Sequence, residues 1–288
     1  MTEGAAWPAW VRDRLAGRRP GHAAAKVLAL LATKQREMSY ASTAAAARLA
    51  GVNVATVVRT AQLLEFSGWP ALRAEVRSRF LSGLSAAQVL SEHDPTPAGP
   101  ARATVLRELA NLQGLSTLID QDQVIRVARL IADARVTLVL GSGSFAAPGL
   151  QLAHLAQTIG HDVRLHQVGG TALVNAATLL RPGDVLVVFH LWRSPREVLN
   201  AATIAAEAGA AVVVVADHVR PEFAERATET LLVPSEGASM FPSLVAAITV
   251  VQAIVAALVA LDPEGAALAS DRIEGLWEHF DLFPPVVR

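Results

Sequence analysis

Two periodicities divide this chain. From His22 to about Leu81 the apolar residues fall at helical spacing, first in "HAAAKVLALLATKQ" and then through "STAAAARLAGVNVATVVRTAQLLEFSGWPALRAEVRSRFL". In the second stretch Ser42 or Thr43 is placed to cap a short helix ending near Ala50. Gly51 supplies a tight turn, and Asn53 caps a second helix running to about Leu64. A third helix is predicted from Pro70 to about Leu81. Residues 82–100, "SGLSAAQVLSEHDPTPAGP", are rich in Ser, Pro and Gly and read as a linker or a loosely packed connection. Residues 101–132 read as one or two bridging helices.

From Arg135 onward the pattern changes. Apolar, β-branched runs stand at "VTLVL" (136–140), "DVRLH" (162–166), "VLVVF" (185–189), "AVVVVA" (211–216) and "LLV" (231–233), with helical stretches between them. Unbroken apolar strands alternating with helices predict a five-stranded parallel sheet covered on both faces. Ligands of such sheets bind at the carboxyl ends of the strands, where strand order reverses. The 18-residue run "LVAAITVVQAIVAALVAL" (244–261) is long enough for a short membrane span. No Lys or Arg cluster flanks it, so it is read instead as a buried or subunit-interface helix. The expected organisation is an all-α domain at residues 1–90, a linker with bridging helices at 91–132, and an α/β three-layer domain at 133–288.

Charge sharpens this division. Residues 1–90 carry 12 Lys and Arg against 5 Asp and Glu, a net of +7, while residues 91–288 carry 13 against 21, a net of −8. A basic module joined to an acidic one suggests that the first meets a polyanion. The chain of 288 residues has no cysteine, which excludes disulfides, thiolate metal sites and cysteine nucleophiles and fits a cytoplasmic protein. The N-terminus, "MTEGAAWPAWVRDRLAGRRPG", has no apolar run after its charges and does not read as a signal peptide.

A short helix, a Gly turn and a second helix within about twenty residues is a helix-turn-helix signature. Ala47 is small where the two helices cross, and Val52 and Val57 fill the space beneath them. Asn53, Thr56 and Arg59 then project from the first turns of the second helix. Asn pairs with adenine and Arg with guanine in a major groove. Thr43 and Arg48 are placed to hold phosphates, and Lys26, Lys34, Arg36, Arg73, Arg77 and Arg79 form a basic surround. Thr60 stands where such a motif usually buries a large apolar side chain, so looser packing or a different helix register is expected there.

Two loops of the second half carry candidate chemistry. After the first strand, "GSGSFAAPGL" brings Gly141 and Gly143 for close backbone approach and the hydroxyls of Ser142 and Ser144 near a helix start. A dinucleotide fingerprint is disfavoured, because Asp162 opens the second strand where a ribose-binding acid should close it. After the third strand, "HLWRSPRE" holds His190, Trp192, Arg193 and Ser194. Ser194, Pro195 and Glu197 have the spacing of a capping box. Arg193 suits an anion and Trp192 a ring. Glu236, in "PSEGASM", is the carboxylate offered after the fifth strand. His22, His93, His154, His161, His166, His218 and His279 show no metal-ligand spacing. No catalytic residue, metal or cofactor is therefore expected.

The chain resembles the RpiR-type bacterial transcriptional regulators from about residue 22 to residue 261. "AGVNVATVVRTAQLLEFSGWPAL" is similar to that family's recognition helix and the Phe-Ser-Gly-aromatic turn after it, with Gly51, Val52, Ala55, Thr56, Val57, Val58, Arg59, Phe66, Ser67 and Gly68 matching. Asn53 replaces a Ser and Thr60 a Phe. "RPGDVLVVF" and "AAEAGAAVVVVAD" match strand edges of its sugar-isomerase-type (SIS) domain. The resemblance implies a helix-turn-helix followed by an SIS-like domain that senses a phosphorylated sugar, acting as a homodimer or higher homo-oligomer on a double-stranded DNA operator, with no membrane partner. The ligand loops depart from it. Phe145 takes a Ser position in the first, and His190 to Pro195 replace the hydroxyl-rich Ser-x-Ser-Gly-x-Thr cradle of the second. The loop then reads as a rebuilt sensor pocket or one that has lost its ligand; the effector expected is a small anion, a phosphosugar or, given the altered loops, another anion, carboxylated or aromatic. The competing reading is a sugar-phosphate isomerase with an added helical domain.

Overall fold

A computed structural model describes residues 7–93, 99–193, 195–218 and 220–283. It separates into two compact units: the chain up to Leu118 together with Pro234–Ser243, and Ile119–Val233 together with the chain from Leu244.

The first unit is helical: α1 (Ala9–Leu15), α2 (His22–Thr33), α3 (Gln35–Tyr40), α4 (Thr43–Ala50), α5 (Val54–Leu63), α6 (Trp69–Ser82), α7 (Ala86–Glu92) and α8 (Pro100–Leu118). Local chemistry sets the boundaries. The Ser42 hydroxyl accepts the Ala45 N–H at 3.2 Å and starts α4. Gly51, at φ 61°, closes it in the left-handed conformation. The Asn53 carboxamide accepts the Thr56 N–H at 2.7 Å and starts α5. Val27, Leu28, Leu31, Met38, Ala47, Val57, Leu64, Trp69 and Leu72 close the core. Trp69 satisfies its indole N–H on the Ala41 carbonyl at 2.9 Å.

Contrary to the expectation of a shifted register, Thr60 occupies the motif's buried position and is 1% exposed. Its hydroxyl donates to the Thr56 carbonyl at 2.7 Å, so a polar atom enters the core already paired. The connection after α6 is more ordered than its composition implies. Ser85 and Gln88 form a reciprocal capping box that starts α7. Of the three prolines beyond it, Pro95 and Pro97 lie outside the described residues, and Pro100 opens α8. The bridging region is also divided rather than shared: α8 belongs to the helical unit and α9 (Gln121–Asp133) to the second.

The second unit is three-layered. Strands β1 (Thr137–Leu140), β2 (Val163–His166), β3 (Val185–His190), β4 (Ala211–Ala216) and β5 (Glu229–Leu232) form one sheet in the order β2-β1-β3-β4-β5, with every pair parallel. Period-2 alternation sends Leu138, Leu140, Leu186, Val188, Val212 and Val214 to a face covered by α11 (Thr171–Thr178) and α12 (Arg196–Glu207). The other face takes α10 (Ala146–Thr158), against which α14 (Val245–Leu261) packs beside α9. A Cβ on Gly149 of α10 would lie 3.0 Å from side-chain atoms of both Val139 and Leu165, which measures how closely that helix approaches the sheet. The short α13 (Pro221–Ala224) and the final α15 (Pro263–His279) complete the unit. The long apolar run is α14, buried through Ala246, Ala247, Val250, Val251, Ile254, Ala257 and Leu258. No single helix among the described residues is long and apolar enough to cross a membrane.

Candidate functional site

The helix-turn-helix is α4, the Gly51 turn and α5. Ala47 and Val57 are buried between the helices and Val52 packs against them. Burial of Val57, Thr60 and Ala61 on one side of α5 leaves Ala55, Arg59 and Gln62 exposed on the other. Arg59 lines an open groove of about 470 Å³ with Arg19, His22, Thr56 and Leu63. Arg48 is exposed in the last turn of α4, and Thr43 is half-buried in its first.

One expected role needs correction. The Asn53 carboxamide oxygen accepts from both the Thr56 N–H and the Thr56 hydroxyl, at 2.7 and 2.8 Å. A bidentate pairing of Asn53 with adenine requires that same oxygen, so Asn53 acts as a cap and Thr56 as its partner. Nothing in the sequence reading singles out Gln62, yet it sits one turn beyond Arg59 on the outward face. The available signal is the i, i+3 spacing from Arg59.

The basic surround is also thinner than counted. Arg36 pairs with Glu92 at 2.9 Å, Arg79 with Glu75 at 2.6 Å, and Arg77 with Glu236. Among the described residues, Arg19, Lys26, Lys34, Arg48, Arg59 and Arg73 are in no ion pair.

In the second unit the order β2-β1-β3 makes the gap between β1 and β3 the switch point of the sheet, and the two ligand loops leave from those strands. At the first loop a Cβ on Gly141 would fall 2.4 Å from the Ala146 Cα, so this turn admits only glycine. Gly143 has φ +58° and opens a 3-10 turn to Phe145. Ser142 is half-buried and Ser144 exposed, while Phe145 has joined the core.

The second loop is held from beneath. Its Trp192 has φ +62°, a conformation uncommon for any side chain of this size. Both backbone polar groups of Trp192 are gripped from the loop after β4. The N–H donates to Asp217 Oδ2 at 3.1 Å, and the carbonyl accepts from Arg220 Nη2. Asp217 also pairs with His218 Nδ1 at 2.8 Å, each side chain being 4% exposed. The loop therefore has a rigid seat, and it presents Arg193 with its guanidinium 5.4 Å from the Trp192 ring centroid. Asp217, His218 and Arg220 are absent from the sequence-level candidates. The strand-end rule applied to "AVVVVA" would have found them in the "DHVR" that follows.

His190 ends β3. It is 6% exposed, its ring lies 5.0 Å from that of Phe223, and neither ring nitrogen has a hydrogen-bond partner among the described residues. Burial chiefly, with the Arg220 charge, pushes the imidazole down to about 4, so it is neutral at physiological pH. Ser194 lies outside the described residues. The expected capping box, which needs Ser194, lies outside them as well; Pro195 is the N-cap of α12, and Glu197 accepts the Gly170 N–H at 2.9 Å, tying the β2–α11 loop to the helix.

Glu236 departs most from expectation. Pro234–Ser243 belongs to the helical unit, and the Glu236 carboxylate sits there among Arg77, Arg107 at 3.1 Å and His93 at 3.2 Å. Its carbonyl accepts from Asn111 Nδ2 at 2.9 Å. Burial alone would raise this carboxyl; hydrogen bonds from His93 and Arg77 and the two arginine charges overcome that and bring it down to about 2. It is a locked anion, not a ligand-facing acid. Among the described residues no group of His, Asp and Glu is arranged to hold a metal.

Residues 130–261 match the SIS domain family. Over 194 residues the chain is 26% identical to the HTH-type transcriptional regulator HexR of Pseudomonas aeruginosa, covering 65% of this chain and 66% of that protein, just under two-thirds of its length. Two solved structures share the fold. The RpiR transcription factor from Sphaerobacter thermophilus (sugar isomerase domain) has a TM-score of 0.57 at 24% identity, over 59% of this chain and 96% of that one. The Vibrio vulnificus NanR protein complexed with ManNAc-6P has a TM-score of 0.58 at 19% identity, over 96% of this chain and 100% of that one.

Proposed function

We propose that this chain, which has the RpiR-type architecture of a helix-turn-helix ahead of an SIS domain, is a DNA-binding transcriptional regulator whose SIS domain takes a small anionic effector. The observation that carries the reading is the α4–α5 pair. Its inner face is fully packed, while Arg59 stands exposed with no ion pair among the described residues, beside Arg19 in an open groove. A cation held outward on the second helix of such a pair suits base-edge contact in a major groove, with Arg48 and Arg19 suited to phosphates. In this reading the protein works in the cytoplasm as a homodimer or higher homo-oligomer. Two α5 helices then meet half-sites one helical turn or a multiple apart. The effector acts by binding one arrangement of the DNA-binding units better than another. The known ligand of the NanR protein, ManNAc-6P, makes a phosphosugar the first class to test. The replaced cradle at His190–Pro195 favours a different anion.

The same geometry favours binding over turnover. An isomerase needs a positioned base, and Glu236 is ion-paired and held near 2, far below a pKa useful for taking a proton at neutral pH. The test is fluorescence anisotropy against a duplex from the promoter of the protein's own gene. Affinity should fall steeply with salt, and Arg59→Ala should weaken binding by about 1–3 kcal/mol. Salt-independent or absent duplex binding would overturn the reading.

A further inference from the structure

Helix α15 has the pattern of a packing helix and leaves most of it uncovered. Ala266, Ala269, Ile273, Leu276 and Phe280 recur at alternating spacings of three and four, which sets them along one apolar stripe. The small end of the stripe is used. Ala266 is buried, and the Ala269 Cβ lies 3.2 Å from where a Cβ on Gly160, just past α10, would stand. The bulky end is not used. Among the described residues of this 17-residue helix Ala266 alone is buried. Leu276, Phe280, Leu282 and Phe283 are exposed, the two phenylalanines at 70% and 63%. That end is nonetheless built. Asp281, at φ +52°, turns the chain, and the Leu282 N–H donates to the Trp277 carbonyl at 3.0 Å. Phe283 folds back edge-on to Trp277, with ring centroids 5.5 Å apart. A compact aromatic knob therefore stands in water, the kind of patch that marks an interaction surface.

The chain's own α14 cannot cover it. Helix α15 leaves α14 at a bend of 107°, and a helix of this length spans about 25 Å, so the knob stands far from α14 of its own copy. The outward side of α14 is the matching feature. That helix contains no charged residue, and Ala256, Val259 and Ala260 form an exposed strip of small apolar side chains near its end. A knob and a strip on one unit, each beyond the other's reach, are satisfied together by a two-fold axis between copies. Charge narrows the occupant further. Residues 271–283 carry four Asp and Glu against one Arg, so a DNA duplex and an anionic membrane surface both repel the knob. We propose that α15 is an exchanged arm: the aromatic knob of one copy seats on the α14 strip of a second copy, which returns the same contact. This gives the homodimer of the preceding reading its surface and rests on that reading for the stoichiometry.

The test is sedimentation velocity of the full chain at micromolar concentration without DNA. The native chain should sediment as a dimer or a larger even-numbered assembly. Phe280→Ser removes the knob and Ala256→Arg obstructs the strip; each should weaken association by about tenfold or more. Both positions are exposed in the single chain, so both variants should keep the native circular dichroism. Mixing the two variants leaves one intact contact per pair, the knob of the Ala256→Arg copy on the strip of the Phe280→Ser copy. The mixture should therefore associate more tightly than either variant alone. The proposal is overturned if the native chain is a monomer, if either variant associates as the native chain does, or if the mixture gains nothing. Loss of the native spectrum in Phe280→Ser would also overturn it, by showing that the knob supports its own chain. Duplex binding is measured separately. Its absence would remove the regulator reading and leave the arm exchange standing, whereas native-like association of Phe280→Ser would do the reverse.

Discussion

Asn53 shows how one side chain can be placed correctly and given the wrong task. Its position before an apolar-periodic run identifies it as a helix cap, and the cap forms. The adenine-reading role fails because one carboxamide oxygen accepts two hydrogen bonds from Thr56 and has no geometry left for a base edge. Asn53→Ala should therefore cost about 1 kcal/mol of stability, read by urea unfolding, and leave the sequence preference of duplex binding unaltered. A changed preference at a single base pair would return Asn53 to the interface. Gln62 is the better candidate for that contact. At this scale the sequence makes caps, turn glycines and core positions legible, because each depends on neighbours within four residues. Orphaned His190 and locked Glu236 are not legible, since their partners come from distant parts of the chain.

At the scale of elements, most of the fold follows from apolar period. All five strands and the three helices from Thr43 to Ser82 lie where alternation and capping put them, within one residue at each end for all but β5, which begins two residues earlier. Two elements resist that reading. Helix α7 is hidden by a Ser-, Pro- and Gly-rich composition, and only the Ser85–Gln88 pairing reveals it. Helix α14 is apolar almost all round, so its pattern alone does not choose between a membrane, a partner and the interior. The choice is made by packing: α9 and α10 lie against α14, and Val250, Val251 and Ile254 are buried. Ile254→Ala should accordingly cost about 2–5 kcal/mol of stability, measured by chemical denaturation, because the surrounding helices cannot collapse fully into the space left behind. A loss under 1 kcal/mol would mean that this face of α14 is less tightly packed than its burial implies.

For the whole molecule, the two units should answer acid differently, because the histidines His190 and His93 are perturbed in opposite senses. In the α/β unit His190 is depressed from 6.5 to about 4. Its folded form rejects the proton that the unfolded chain accepts. This contribution is fully present above pH 6.5 and is lost as the pH falls from there toward 4, roughly 3 kcal/mol at most. In the helical unit His93 is raised, first by its hydrogen bond to Glu236, so its contribution is present below 6.5 and disappears as the pH rises through the raised value. Glu236 is depressed to about 2, so its contribution is present above about 4.5 and fades only as the pH drops toward 2. Between pH 7.5 and 5.5 the helical unit should thus hold or gain stability while the α/β unit weakens. The helical unit should give way only below about pH 4.5. Urea titrations at pH 7.5, 5.5 and 3.5 of a chain whose other four tryptophans are replaced by Phe, followed by the fluorescence of buried Trp69 for the helical unit and by hydrogen exchange of the β3 and β4 amides for the sheet, separate the two responses. Replacing His190 by Phe should flatten the sheet's response between pH 6.5 and 4 and leave the Trp69 response in place. If both probes lost stability in parallel over that interval, His190 would not be the group that titrates.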